Sequence, residues 1–386
     1  MRVEPEILRG EGVRLEPLQL DHANGLYNRA RSGADWDYMP RAAFVAMWVG
    51  LALACPANAQ WTDQHDPSIV VPPGIPLTEG RSNAALQYHM VWMLLEPMLE
   101  FREFTSDELE AFDRGELPED YIRGLESDQE AIAELVAATK LERCDFGTQY
   151  EKGIGALLPQ LAVMRKSARL LVNDSMRLRE TDMDAVAERL AATIRLGEHA
   201  SRGSVVIGSL VGVAITELAR VEAVKLLEAG ALNADQSGVI NEALDRVLTD
   251  DPFHSLEAIR TEKAMMIAWI KNEYQGDDAG KRLAKILQYE NNDSSIEHKQ
   301  LRRMNGEQIA ALTDETAAAY EDLIAAWQAD DPTGEMRKIE HKLEQGEYGL
   351  VTKLLLSALG RFREKATESE QNLWRLRSEL TAVQEG

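Results

Sequence analysis

Between Cys144 and Gln160 the chain places Asp145, Tyr150, Glu151 and Lys152 around two glycines, Gly147 and Gly153. Carboxylates, a phenol and an ammonium in one polar connector between helical regions are groups that an enzyme could use. Connectors also carry function out of proportion to their length. The alternative is purely structural: the glycines make a turn and Asp145 caps a helix. No other stretch offers chemistry. His22, His65, His89, His199, His254, His298 and His341 form neither H-E-x-x-H nor a paired i, i+4 ligand set, so each reads as a surface or satisfied core residue. Asp250-Asp251, Asp277-Asp278 and Asp330-Asp331 stand at expected helix boundaries, where carboxylates cap and complement the helix dipole. None continues into D-D-x-x-D. Asn291-Asn292-Asp293 lacks the glycine and terminal glutamate of a calcium loop. Gly203-x-x-x-x-Gly208 lacks the lysine and hydroxyl of a phosphate loop, and no G-x-S-x-G elbow occurs. The expectation is therefore no catalytic residue, no cofactor and no metal, with the connector as the one candidate site.

The 386 residues carry a formal charge of −23, with 45% hydrophobic and 28% charged residues. Such a composition is that of a globular protein with ample core. Its acidity disfavours nucleic acid and anionic membrane surfaces as partners. A protein is the expected partner. Oligomeric state leaves no mark on the sequence.

Met39-Pro40-Arg41 is a short basic start, and Ala42 to Cys55 is an uncharged, mostly apolar run. Pro56 follows, then Ala57-Asn58-Ala59 before Gln60. A basic region, an apolar region and an A-x-A site, in that order, are the parts of an export signal cleaved between Ala59 and Gln60. The run is short of the roughly 20 residues that span a bilayer, so no stable span is expected in the mature chain. Export to a periplasmic or outer compartment is the expected location. Two alternatives stand beside it: a lipid anchor on Cys55, although Ala52-Leu53-Ala54 fits a lipobox poorly, and a cytoplasmic protein if translation starts at Met1. After cleavage only Cys144 remains, which excludes an intramolecular disulfide and reads as a buried, inert thiol.

Residues 1–38 precede this signal. Arg9 to Leu18 alternates like a strand, and Asp21 is placed to cap a following helix. With Trp36-Asp37-Tyr38-Met39-Pro40, this stretch resembles the opening strand and helix of GNAT-family N-acetyltransferases of the ribosomal-protein-acetylating type. That resemblance covers residues 1–40 and implies acetyl-CoA held by a Q/R-x-x-G-x-G/A loop. The nearest approach, Tyr150-Glu151-Lys152-Gly153-Ile154-Gly155, has Tyr150 in the first position and no strand pattern before it. Strand-to-helix geometry is what aims backbone amides at a pyrophosphate. Residues 1–38 therefore read as an acetyltransferase-like fragment or an upstream extension.

Residues 60–82, with four prolines, read as an extended arm. Beyond Asn83 the apolar periodicity is helical. Thr105-x-x-Glu108 and Ser127-x-x-Glu130 have the form of capping boxes, and Pro97 is placed to kink or end its helix. Helices are expected over 157–180, 182–200 (capped by Thr181 to Asp184) and 204–229. Ser204, Gly208, Gly212 and Thr216 make a small-residue stripe that admits a close neighbour. Further helices are expected at 253–275, 278–290, 306–329, 334–345 and 347–382. The fold class is all-α, an array of antiparallel helical hairpins of solenoid or bundle type, with a short β/α fragment and a signal helix at the N-terminus. Residues 83–250 form the repeat-like core and 251–386 a C-terminal helical region.

Four blocks in that core carry a second resemblance: Asn83 to Tyr88, Cys144-Asp145-Phe146-Gly147-x-x-Tyr150, Leu157 to Leu161 with Arg165, Ala168 and Leu170-Leu171, and Gly208 to Ile215. They resemble a family of exported bacterial helical proteins of TPR-like dimensions with no assigned activity. The resemblance implies a helical-repeat domain outside the cytoplasm and no catalytic residues. Function is expected to be a non-enzymatic interaction or scaffold role. The alternatives are a helical enzyme using the 144–160 connector and an acetyltransferase remnant.

Overall fold

The computed structural model describes residues 8–10, 13–15, 83–99, 116–156, 158–203, 205–287, 296–329, 331–349, 352 and 359–385. The chain divides into two compact units, Met1–Pro73 and Gly74–Gly386. Within the first, β1 (Leu8–Gly10) and β2 (Val13–Leu15) pair antiparallel, with Arg9 opposite Arg14. The export signal with Ala57, Ala59, Gln60 and Cys55, the proline-rich arm, and the Thr105 capping box lie outside the described residues.

The elements described in the second unit are helices. In order come α1 (Ala84–Leu99), α2 (Glu119–Ser127), α3 (Gln129–Thr139), α4 (Pro159–Leu178), α5 (Met183–Ser201), α6 (Val206–Glu228) and α7 (Ala234–Val247). Then follow α8 (Ser255–Glu273), α9 (Ala279–Leu287), α10 (Ile296–Leu301), α11 (Gly306–Trp327), α12 (Pro332–Gln345) and α13 (Leu359–Glu385). Local chemistry sets several starts. Pro159 opens α4, where its missing N–H costs nothing. Asp182 caps α5 by accepting from the Ala185 N–H at 2.9 Å, and Asp331 accepts from Gly334 at the start of α12. Asn233 with Gln236, and Asn305 with Gln308, form reciprocal capping boxes on α7 and α11.

Helix α5 is the hub, packed against α3, α4, α6 and α7, and from Leu190 to Ser201 every residue is buried. Its contact with α6 is close because glycine faces glycine. A Cβ built on Gly212 would stand 2.5 Å from the Gly197 carbonyl oxygen, and one on Gly197 would stand 2.8 Å from that of Gly212. This is the close neighbour that the small-residue stripe on α6 anticipates. A second fastening is the buried Asp174 of α4, which accepts from Arg177 (2.8 Å), Arg189 of α5 (2.9 Å) and Gln129 of α3 (3.0 Å).

The architecture is a bundle rather than a solenoid, because distant elements touch. In a solenoid each repeat meets only its neighbours. Here α13 packs on α6 and α7, and Leu373, Leu376 and Leu380 share one core with Val186, Leu190 and Ile240. The 251–386 region is thus part of the same packed body as the 83–250 core. Two local expectations change. Ser127 ends α2 and donates to the Gly124 carbonyl, so the Ser127-x-x-Glu130 pattern is no capping box. Residues 346–348 form a turn, with Gly346 and Gly349 at positive φ, so no helix starts at 347, and the last described helix is Leu359–Glu385. Among the described residues, no helix is long and apolar enough to cross a membrane.

Candidate functional site

The connector after α3 is a strap held at both ends. Asn83 holds it at one end: its side-chain amide accepts from the Asp145 N–H and donates to the Asp145 carbonyl, both at 2.9 Å. Asp145 turns its own carboxylate back to the Gly147 N–H (2.9 Å). Phe146 stacks on Trp92 with ring centroids 5.9 Å apart, and Tyr88 lies beside both rings. At the other end Tyr150–Gly155 forms a 3-10 turn against α8. Gly153 has φ +55° and lies so close to Trp269 that a Cβ would sit 2.1 Å from the indole. A side chain there is excluded twice, by conformation and by space. No strand precedes this turn, so it lacks the geometry of a pyrophosphate loop.

Under the strap lies a cavity of about 340 Å³ lined by Cys144, Asp145, Tyr150, Gln160, His199 and Arg202, among others. Behind it is a knot of ionisable groups. Tyr88 donates to His199 Nδ1 at 2.7 Å, and His199 Nε2 donates to the Leu141 carbonyl at 2.8 Å. Both ring nitrogens are committed. Burial drives this imidazole down to about 4 against the pull of Glu198, so it is neutral at physiological pH. Glu198 accepts from Arg202 Nε (2.7 Å), Arg246 Nη2 (3.2 Å) and His254 Nε2 (3.2 Å). Burial pushes the Glu198 carboxyl up, but the His254 bond and the surrounding charges outweigh it and hold it below the usual range. His254 is raised, first by its bond to Glu198, and its Nδ1 faces Glu257 at 3.2 Å. Arg246 also gathers the Thr139 and Leu141 carbonyls at the end of α3. Phe253 and His254 are the only non-glycine residues with positive φ among those described, so the chain bends sharply to deliver this histidine.

Chemically this arrangement is saturated. Burial, with Glu198 adding to it, pushes the Cys144 thiol up to about 12, far from a thiolate nucleophile. His199 lines the same cavity but has no free nitrogen to act as a base. Of the four connector residues, Asp145 and Tyr150 line the cavity, whereas Glu151 and Lys152 point to solvent. Among the described residues, no cluster of three His, Cys, Asp or Glu could hold a metal ion.

A second cavity, of about 230 Å³, lies beyond the strap between α6, α8 and α11, and Thr148 and Tyr150 line both. Its acid, the half-buried Glu262, has no motif to announce it. The signal was phase: Ala258, Ile259, Met266, Trp269 and Ile270 are the buried face of α8, and Glu262 fills the gap in that stripe. The knot was missed for another reason, since Tyr88, His199, Arg246 and His254 meet only in space.

No family model matches the sequence, and no curated protein or solved structure shows significant similarity to it.

Proposed function

We propose that this chain is a non-enzymatic interaction module, working outside the cytoplasm, that docks a protein partner on the outer face of α1. The observation that carries this reading is a helix apolar on both sides. Tyr88, Val91, Trp92 and Leu95 are buried on the inner face, while Leu86, Met90, Met93 and Leu94 are 52%, 58%, 59% and 65% exposed. Their i, i+4, i+7, i+8 spacing makes one continuous outer stripe. A helix that is hydrophobic all round belongs in an interior, so water on one side of it marks a surface that expects cover. Two methionines suit it to a docking role, because their flexible thioethers adapt to a partner. The committed state of His199, Glu198 and Cys144 weighs against catalysis. The basic, apolar and A-x-A order of Met39 to Ala59 supports export.

The test is a photo-crosslinking residue at Met90, with a matched one at the exposed Glu151, in protein expressed from its own gene. A crosslink from Met90 to one defined second protein, missing from the Glu151 control, is expected. Crosslinks confined to this chain's own residues overturn the docking role. Sequencing the N-terminus of the same material should return Gln60, and an intact Met1 overturns export.

A further inference from the structure

Glu262, half-buried on α8, differs from the buried acids Asp174 and Glu198 in having no cation. Its Oε2 accepts from the Val206 N–H in the first turn of α6, and its Oε1 accepts from the Tyr320 hydroxyl, both at 3.1 Å. A carboxylate offers about four acceptor positions, so two remain after these bonds. No lysine, arginine or histidine contributes to its electrostatics; burial pushes the carboxyl above its usual range, and only the two hydrogen bonds oppose that. The acid lines the 230 Å³ cavity together with Val205, Ile207, Met265 and Met266, which are apolar, and with the hydroxyl-bearing Thr148 and Tyr150 on the strap side. A small, mainly apolar chamber with a few convergent polar groups is the build of a ligand site.

We propose that this chamber binds a small primary amine with an apolar body, the ammonium pairing with Glu262. The chemistry selects the class. An ammonium supplies the missing counter-charge and hydrogen-bond donors for the unused carboxylate positions, and such a charge-assisted pair is stronger than a neutral one. An alcohol of the same shape brings a donor but no charge, and a carboxylic acid brings the wrong charge. Volume restricts the body to a short chain or a single ring. The inference does not depend on what docks on α1.

Hexylamine, 1-hexanol and hexanoate are suitable probes, titrated calorimetrically into the full chain at neutral pH. Hexylamine should bind, with hexanol and hexanoate weaker by about tenfold or more, a difference of roughly 1.4 kcal/mol. Glu262→Gln should retain the melting transition and lower hexylamine affinity to that of hexanol. Met265→Trp, which fills the chamber and keeps the acid, should abolish binding of both. Equal affinities for hexylamine and hexanol, no binding by any probe, or an unchanged hexylamine affinity in Glu262→Gln would each overturn the proposal.

Discussion

Glu198 and Glu262 are both glutamates in the helical interior, and their surroundings are opposite. Glu198 faces Arg202, Arg246 and His254, and its carboxyl is held below the usual range. Glu262 faces one backbone amide and one phenol, and its carboxyl is pushed above it. The first acid accepts from three cationic side chains, so it fastens α5 to α7 and to the turn before α8. The second stands at the wall of a chamber with capacity left over. A buried charge met by cations is architecture, while a half-buried one that lacks its counter-charge is an opening for a ligand.

That contrast is most sharply tested by neutralising each acid. In Glu198→Gln, Arg202, Arg246 and His254 lose the anion they share, and breaking a buried charge cluster typically costs about 3–5 kcal/mol. In Glu262→Gln the amide oxygen can accept from Val206 and the amide N–H can donate to the Tyr320 oxygen. No cation is stranded, so the cost should stay within about 1 kcal/mol. Urea unfolding of both variants beside the parent reads this directly. Equal losses would end the distinction between the two acids.

A smaller and more specific effect is the pH dependence of those costs. Glu198 has a folded value below the ordinary 4.5, so its contribution is complete above that pH and is lost as pH falls through the folded value. Glu262 has a folded value above 4.5, so the stability of its protonated form is present in acid and is lost as pH rises through that value. The penalty of Glu198→Gln should therefore fade on acidification below pH 4.5. That of Glu262→Gln should fade, or reverse, on going from pH 4.5 toward neutrality. Melting series between pH 3 and 8 would show two trends of opposite sign, and parallel trends would contradict the assigned environments.

The same contrast explains what the sequence disclosed. Apolar period and capping chemistry are local, so the helical class, the Asp182 start of α5 and the close approach at Gly212 were legible. The Asn233 and Asn305 capping boxes were equally local, but they use Asn-x-x-Gln rather than the Ser/Thr-x-x-Glu form sought at Thr105 and Ser127. The Glu198 knot draws on α1, α5, α7 and the turn before α8, and no spacing rule links Tyr88 to His199. Whether hairpins stack or close into a bundle depends on α13 meeting α6 and α7, a choice that periodicity does not encode. The connector was half legible: its polar composition marked the strap, while the chamber behind it is walled by helices far along the chain.

The smallest expected effect concerns that strap. Glu151 and Lys152 are exposed, between Tyr150, which lines both cavities, and Gly153, which is pressed against Trp269. The conformation of this turn is fixed by its neighbours rather than by these two side chains. The Gly153 contact locks it to α8, and the Tyr150 hydroxyl donates to the Gly203 carbonyl. Glu151→Ala and Lys152→Ala should each move stability by no more than about 0.5 kcal/mol, the range usual for surface positions away from any partner. They should leave hexylamine affinity unchanged, because neither side chain lines the chamber. Gly153→Ala supplies the scale, since it forces a side chain into the indole at a positive φ and should cost about 1–3 kcal/mol by overpacking. Urea midpoints for the three variants, with hexylamine titrations of the two surface ones, decide the matter. If Lys152→Ala or Glu151→Ala shifts the midpoint as far as Gly153→Ala, or weakens hexylamine, the strap itself is the binding element. The separation between a saturated knot and an open chamber would then no longer describe how this protein works.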